Sequence, residues 1–389
     1  MPPRVVVWNH TRCGITPADT GTAAARSDIV EERGESVNSQ GPTESAEVSG
    51  PADPTVDTAE AVDAKGRPLA VEPAAVPWLE LGLFVLIAFG LAWLVCLPLW
   101  VTGQGLSDPL AVQLYGGVMM FTPLIAGFVA FLVQRRRARR RAQALASAPR
   151  YFGFWPLRPF GRVIWTTVGA FFGICVLVVL GYLLSGAFGW LGLDLGGLSG
   201  FKAELGTLPG MSALPTAVAV GLFLLLMVAG SVGNVFVTIG EEFGWRGWLL
   251  TSLRPLGTWP ALLIVGAVWG LWHAPLILLG YNFNRPDISG LGLMVLGCVM
   301  LGVLFGWLRL RTGSVWPAVF AHAALNGSTS ILLVLLIDAE TPTPDPALVT
   351  FLGASGWIVS ALVIAVLAAT GQFRKRPELG ARAKPVAQA

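Results

Sequence analysis

The sequence predicts an all-α polytopic membrane protein with about eight transmembrane helices and a disordered N-terminal tail. Composition is the first ground: 54% of the 389 residues are hydrophobic and 13% are charged, whereas soluble domains carry about 25% charged residues. The second is a series of apolar runs near the ~20 residues that a helix needs to cross a bilayer. The third is the alternation of basic and acidic loops between those runs. A mean hydropathy of +0.67 excludes a disordered regulator, a collagen-like chain and a small disulfide-rich domain.

Residues 1–76 read as a disordered cytoplasmic tail. They carry six Lys/Arg and twelve Asp/Glu, a charge of −6, so the remainder of the +3 chain carries +9. They lack apolar periodicity and cannot bury enough surface to fold. Val5–Trp8 is too short for the core of a signal peptide. The four cysteines, Cys13, Cys96, Cys175 and Cys298, form no C-x-x-C pair, which argues against a thiolate zinc site. The basic balance is that of membrane loops and requires no nucleic acid.

Residues 77–373 read as the membrane domain. The expected spans are 79–101, 110–133, 161–184, 214–240, 258–280, 289–308, 314–336 and 348–370. Continuous apolar runs of this length are helices, not the ten-residue alternating strands of a barrel. The loop after the second span holds Arg135, Arg136, Arg137, Arg139, Arg140 and Arg141. Later loops on the same side hold Arg246 and Arg254, then Arg309 and Arg311, then Arg374, Lys375 and Arg376. The opposite loops carry Asp108, Asp194, Glu204, Asp287, Asp338, Glu340 and Asp345, with Lys202 and Arg285 as their cations. This asymmetry predicts both termini in the cytoplasm. Residues 374–389 read as a basic cytoplasmic tail, and the arginine run as a topology anchor beside anionic lipid.

Ionisable residues inside apolar spans are costly and mark function. Span four ends on Glu241-Glu242 with Arg246 one turn later, span five contains His273, and span seven contains His322 and Asn326. Of the three histidines, His10 lies in the tail and the other two lie inside spans. Glu242 and Arg246 share a helix face and are placed to pair. Gly240, Gly244 and Gly247 permit close helix approach. Trp269 shares a face with His273, and Pro275 predicts a kink just past it. The run 214–250 exceeds one untilted span, so Glu241 is expected below the cytoplasmic surface, in a cavity open to that side.

A carboxylate, two imidazoles and a carboxamide suffice for amide hydrolysis. A glutamate with a histidine deprotonates water, and a second histidine with an asparagine donates to the oxyanion. The same Glu241, His273 and His322 would equally suit one zinc or another divalent metal with an open position, and spacing does not choose between metal and no metal. No H-E-x-x-H or G-x-S-x-G motif occurs. A proton-coupled carrier would use the same buried Glu and His, but no internal repeat supports it.

These residues carry a resemblance. Glu241-Glu242-Phe-Gly-Trp-Arg246 resembles the E-E-x-x-x-R motif of the CAAX-protease and bacteriocin-processing (CPBP, or Abi) family of intramembrane endopeptidases. Trp269-Gly-Leu-Trp-His273 is similar to its F-x-x-x-H motif, with Trp in place of Phe, and His322-Ala-Ala-Leu-Asn326 resembles its H-x-x-x-N/D motif. The three stand in order on separate spans, within a motif core at about 210–330. The resemblance, which includes the type II CAAX prenyl proteases, implies roles. Glu241 is the general base, His273 helps activate water, and His322 with Asn326 forms the oxyanion site. Glu242 and Arg246 hold the motif helix. It implies peptide or protein substrates cut at a membrane, prenylated or bacteriocin-like. The family has been described both as metalloproteases and as glutamate-type proteases, and a non-catalytic immunity or scaffold protein would keep the same motifs. A bacterial-type cytoplasmic membrane is the expected location.

Overall fold

The computed structural model describes residues 71–143 and 145–373. The tail expected over 1–76 therefore lies outside the described residues except for its last six, as does the basic tail 374–389. Described residues of the membrane body form helices and turns, with no strand beyond an isolated antiparallel bridge between Leu193 and Ile337.

The helices are α1 (Trp78–Val101), α2 (Pro109–Met119), α3 (Thr122–Arg140), α4 (Ala148–Phe152), α5 (Phe160–Ala187), α6 (Ser199–Thr207) and α7 (Thr216–Glu242). A π-helical stretch, Phe243–Leu249, continues α7 into α8 (Leu250–Leu253). Then follow α9 (Thr258–Trp272), α10 (Ala274–Ile277), α11 (Ile288–Thr312), α12 (Trp316–Leu336), α13 (Pro346–Val349) and α14 (Ala354–Ala369). Among the described residues, seven apolar segments have the length and composition to cross a membrane. The fifth expected span, 258–280, is instead the 15-residue α9 followed by the short α10. Its break falls at His273, two residues before Pro275, which has no N–H to donate and cannot extend the ladder.

Two other expectations differ in detail. The span expected over 110–133 is two helices that meet at Met120–Phe121, where Pro123 stands in the first turn of α3. The span expected over 214–240 runs further, helical without interruption from Thr216 to Leu253.

The acidic loop residues serve as local caps. Asp108 accepts from the N–H groups of Leu110 and Ala111, and Asp287 from those of Ser289 and Gly290, satisfying donors that a helix leaves unpaired at its start. The Asp287 carboxyl is held below its ordinary value by the Ser289 hydroxyl, then by these N–H groups. The cap therefore contributes above the pKa of an ordinary aspartate and fades as pH falls through the lowered value.

Packing brings α7 and the π stretch against α3 and α12, α9 against α11, and α12 against α5. The approach of α7 to α3 requires glycine. A Cβ on Gly240 would meet the Met120 carbonyl oxygen at 2.5 Å, and one on Gly244 would overlap Pro123, its backbone included. A helix backbone cannot swing away as a side-chain tip does. Gly244→Ala is therefore expected to destabilise the protein by about 1–3 kcal/mol, the usual range for overpacking, read as a lowered unfolding temperature in detergent. An unchanged unfolding temperature would contradict this contact.

Candidate active site

Glu241 and Glu242 close α7, so their side chains project about 100° apart. Both are buried, at 2% and 0% exposure. Glu242 faces Arg246 one turn on, with Nη1 to Oε1 at 2.8 Å and neither side chain exposed. The same Oε1 lies 2.9 Å from His322 Nδ1. A chain Arg246–Glu242–His322 therefore joins the π stretch to α12. The aromatic faces of Trp269 and Phe305 cover the guanidinium, with Cζ at 4.2 Å and 5.2 Å from their centroids. Arg246 Nε and Nη2 and Glu242 Oε2 find no hydrogen-bond partner among the described residues, so the cation relies on π faces for part of its solvation.

Glu241 is held differently. Its Oε2 accepts from the Trp269 indole N–H at 2.5 Å and more weakly from Trp245 Nε1 at 3.4 Å. His273 Nδ1 lies 2.9 Å from the carbonyl oxygen of Trp269. A carbonyl only accepts, so Nδ1 is the donor and Nε2 is left as the free nitrogen. The Trp269 ring is 5.9 Å from the His273 ring and 5.3 Å from the His322 ring, centroid to centroid. The acid and both imidazoles, carried by α7, the end of α9 and α12, thus meet around one indole.

Asn326 lies one turn beyond His322 on α12 and is exposed. Its Nδ2 donates to Asn234 Oδ1 at 3.2 Å. Asn234 was not singled out from the sequence. It precedes Glu241 by seven residues, which is two turns along the same face of α7, and that periodicity is the signal that would have found it. Arg309, expected as a loop cation, is fully buried at the end of α11. Its Nε donates to the carbonyl oxygen of Arg246 at 3.1 Å, and Nη2 to that of Tyr151 at 3.3 Å. It thereby satisfies a carbonyl of the π stretch from outside.

No group of three or more His, Cys, Asp or Glu side chains is placed to hold a metal ion among the described residues. The expected ligand set of Glu241, His273 and His322 is not among such groups. Glu241 Oε2 is taken by indoles, and each histidine Nδ1 is turned to a different partner. No step is derived through a metal. The buried ion pair generates its own prediction. Arg246→Leu strands Glu242 in an apolar core and is expected to destabilise by about 3–5 kcal/mol, measured by denaturant unfolding; a loss near that of an exposed pair would refute the burial described.

Residues 206–328, which contain all of these side chains, match the family described as type II CAAX prenyl endopeptidase Rce1-like. A stretch of 120 residues is 30% identical to CAAX prenyl protease 2 of Methanococcus maripaludis. The aligned part is 29% of this chain and 41% of that protein, so the chain spans about two fifths of the length of the curated relative. With seven apolar helices of spanning length, it is an integral membrane protein. Through this motif core, residues 206–328, the chain is similar to the type II CAAX prenyl endopeptidase Rce1-like family.

Proposed function

We propose that the protein is an intramembrane endopeptidase that hydrolyses a peptide bond of a membrane-anchored substrate, with Glu241 as general base. The observation that carries this reading is the meeting of the Glu241 carboxylate and the His273 and His322 rings around the Trp269 indole. An apolar core has no structural use for two histidines and an extra acid at one point, whereas water activation needs them there.

In this reading a water lies between Glu241 and His273 Nε2. Glu241 takes its proton as the oxygen attacks the scissile carbonyl, and later delivers that proton to the leaving amine. Glu242 fixes Nδ1 of His322, so Nε2 is the nitrogen turned to the oxyanion, with Asn326 Nδ2 beside it. Asn234 holds the Asn326 carboxamide in that orientation. Arg246 balances the charge of Glu242. The substrate class follows the printed name of the relative, a CAAX prenyl protease: a lipid-anchored chain whose peptide segment enters from the cytoplasmic side, the side on which the loop arginines lead us to expect both termini.

The test uses the full-length protein in liposomes with lipidated reporter peptides. Glu241→Ala and His273→Ala are each expected to lower kcat by about 10²–10⁴, as loss of an acid–base group does. Loss of an oxyanion donor in His322→Ala or Asn326→Ala is expected to lower it by about 10²–10³. Asn234→Ala is expected to reproduce part of the Asn326→Ala loss and to add little to it. Cleavage that survives the first three changes would defeat the reading. Transport that needs Glu241, without cleavage, would replace it with a carrier.

Metal removal gives a separate prediction. With no group of three His, Cys, Asp or Glu side chains placed to hold a metal ion among the described residues, we expect the cleavage rate to persist after chelation and buffer exchange, with metal content followed by elemental analysis. Loss of activity that returns with stoichiometric zinc would overturn the metal-independent mechanism.

A further inference from the structure

We infer that Trp269 is a positioning residue for Glu241, its indole N–H clamping Oε2 so that Oε1 is the oxygen offered to water. This deepens the endopeptidase reading and rests on it. The indole N–H is a donor that the phenylalanine of the resembled motif would lack.

Three observations support the clamp. Trp269 is 2% exposed, and its Nε1–Glu241 Oε2 distance is 2.5 Å, short even for a hydrogen bond to a charged oxygen. The only other hydrogen bond drawn to Glu241 among the described residues, from Trp245, reaches the same oxygen at 3.4 Å, beyond the useful range. Both bonds fall on one side of the carboxylate, which makes its two oxygens unlike.

The same indole is held by its surroundings. Arg246 lies over one face, the His322 ring meets it at 71°, and Phe305 packs at 6.1 Å. Its backbone carbonyl takes His273 Nδ1. One residue thus orients the acid through its side chain and a histidine through its main chain. Phenylalanine would keep the backbone contact and most of the ring packing but would leave Oε2 without its short donor. The carboxylate would then be free to rotate about its last bond, and a proton acceptor that points elsewhere is not a base for the reacting water.

The test compares wild type with Trp269→Phe in the full-length protein, using a reporter peptide that the wild type cleaves. The expected result is a kcat lower by about tenfold to a hundredfold, the range of a hydrogen bond to a charged group. KM is expected to stay unchanged. Because the smaller ring also alters packing, a second variant carries benzothienylalanine at position 269, which keeps the bicyclic shape and puts sulfur in place of N–H. The same loss of kcat in that variant supports the clamp. Full activity there, whatever Trp269→Phe does, overturns it, as does a change in KM alone. If Glu241→Ala itself cleaves normally, the endopeptidase reading fails first, and that result is distinct from a clamp that fails in an enzyme still dependent on Glu241.

Discussion

A carboxylate removed from water and lipid headgroups must be answered by something, and here Glu242 is answered twice. Arg246 reaches it from the next turn and His322 from another helix, both at Oε1. Bringing two opposite charges into an apolar interior gains little net stability, because desolvation offsets most of their attraction. What the pair provides is position. With Arg246 pressed on the Trp269 face and Arg309 holding the Arg246 carbonyl, α7, α9, α11 and α12 are tied to one another through polar groups that tolerate no slip. Such groups are left without partners by a small displacement, whereas apolar side chains would repack.

The π stretch fits the same logic. Inserting a wider turn after Glu242 shifts the register of everything beyond it and frees backbone groups, a local cost commonly found at functional sites. The neighbours absorb that cost: the glycines let α3 press against the turn, and a buried guanidinium from α11 caps one of its carbonyls.

Much of this was legible in the sequence. Charged or imidazole side chains inside apolar runs are conspicuous because hydrocarbon penalises them, so Glu241, Glu242, His273 and His322 stood out. Hydropathy also located the helices, since it averages over whole turns. The junction at Met120–Phe121 and the π-helical turn escaped because they depend on backbone hydrogen-bond register, which hydropathy does not encode. Arg309 was read as a loop cation because it follows an apolar run. Its burial depends on carbonyl acceptors supplied by two distant segments. Asn234 was passed over because a single carboxamide in a span is unremarkable until its partner on α12 is known. The link from Glu242 to His322 crosses 80 residues of chain, and no local pattern announces it.

The glycine face of α7 has a consequence for traffic. Where Gly240 and Gly244 press α7 onto α3, backbone meets backbone and nothing the width of a polypeptide can slip between. The same helix shows a polar edge on a different side, where the half-buried Asn234 meets the exposed Asn326 of α12. If the protein cleaves peptides as proposed, one travelling within the bilayer would meet a sealed wall on one flank and a hydrogen-bonding doorstep on the other. On that reading, the direction of arrival would be set by the absence of side chains at a few positions as much as by the polar groups beside them.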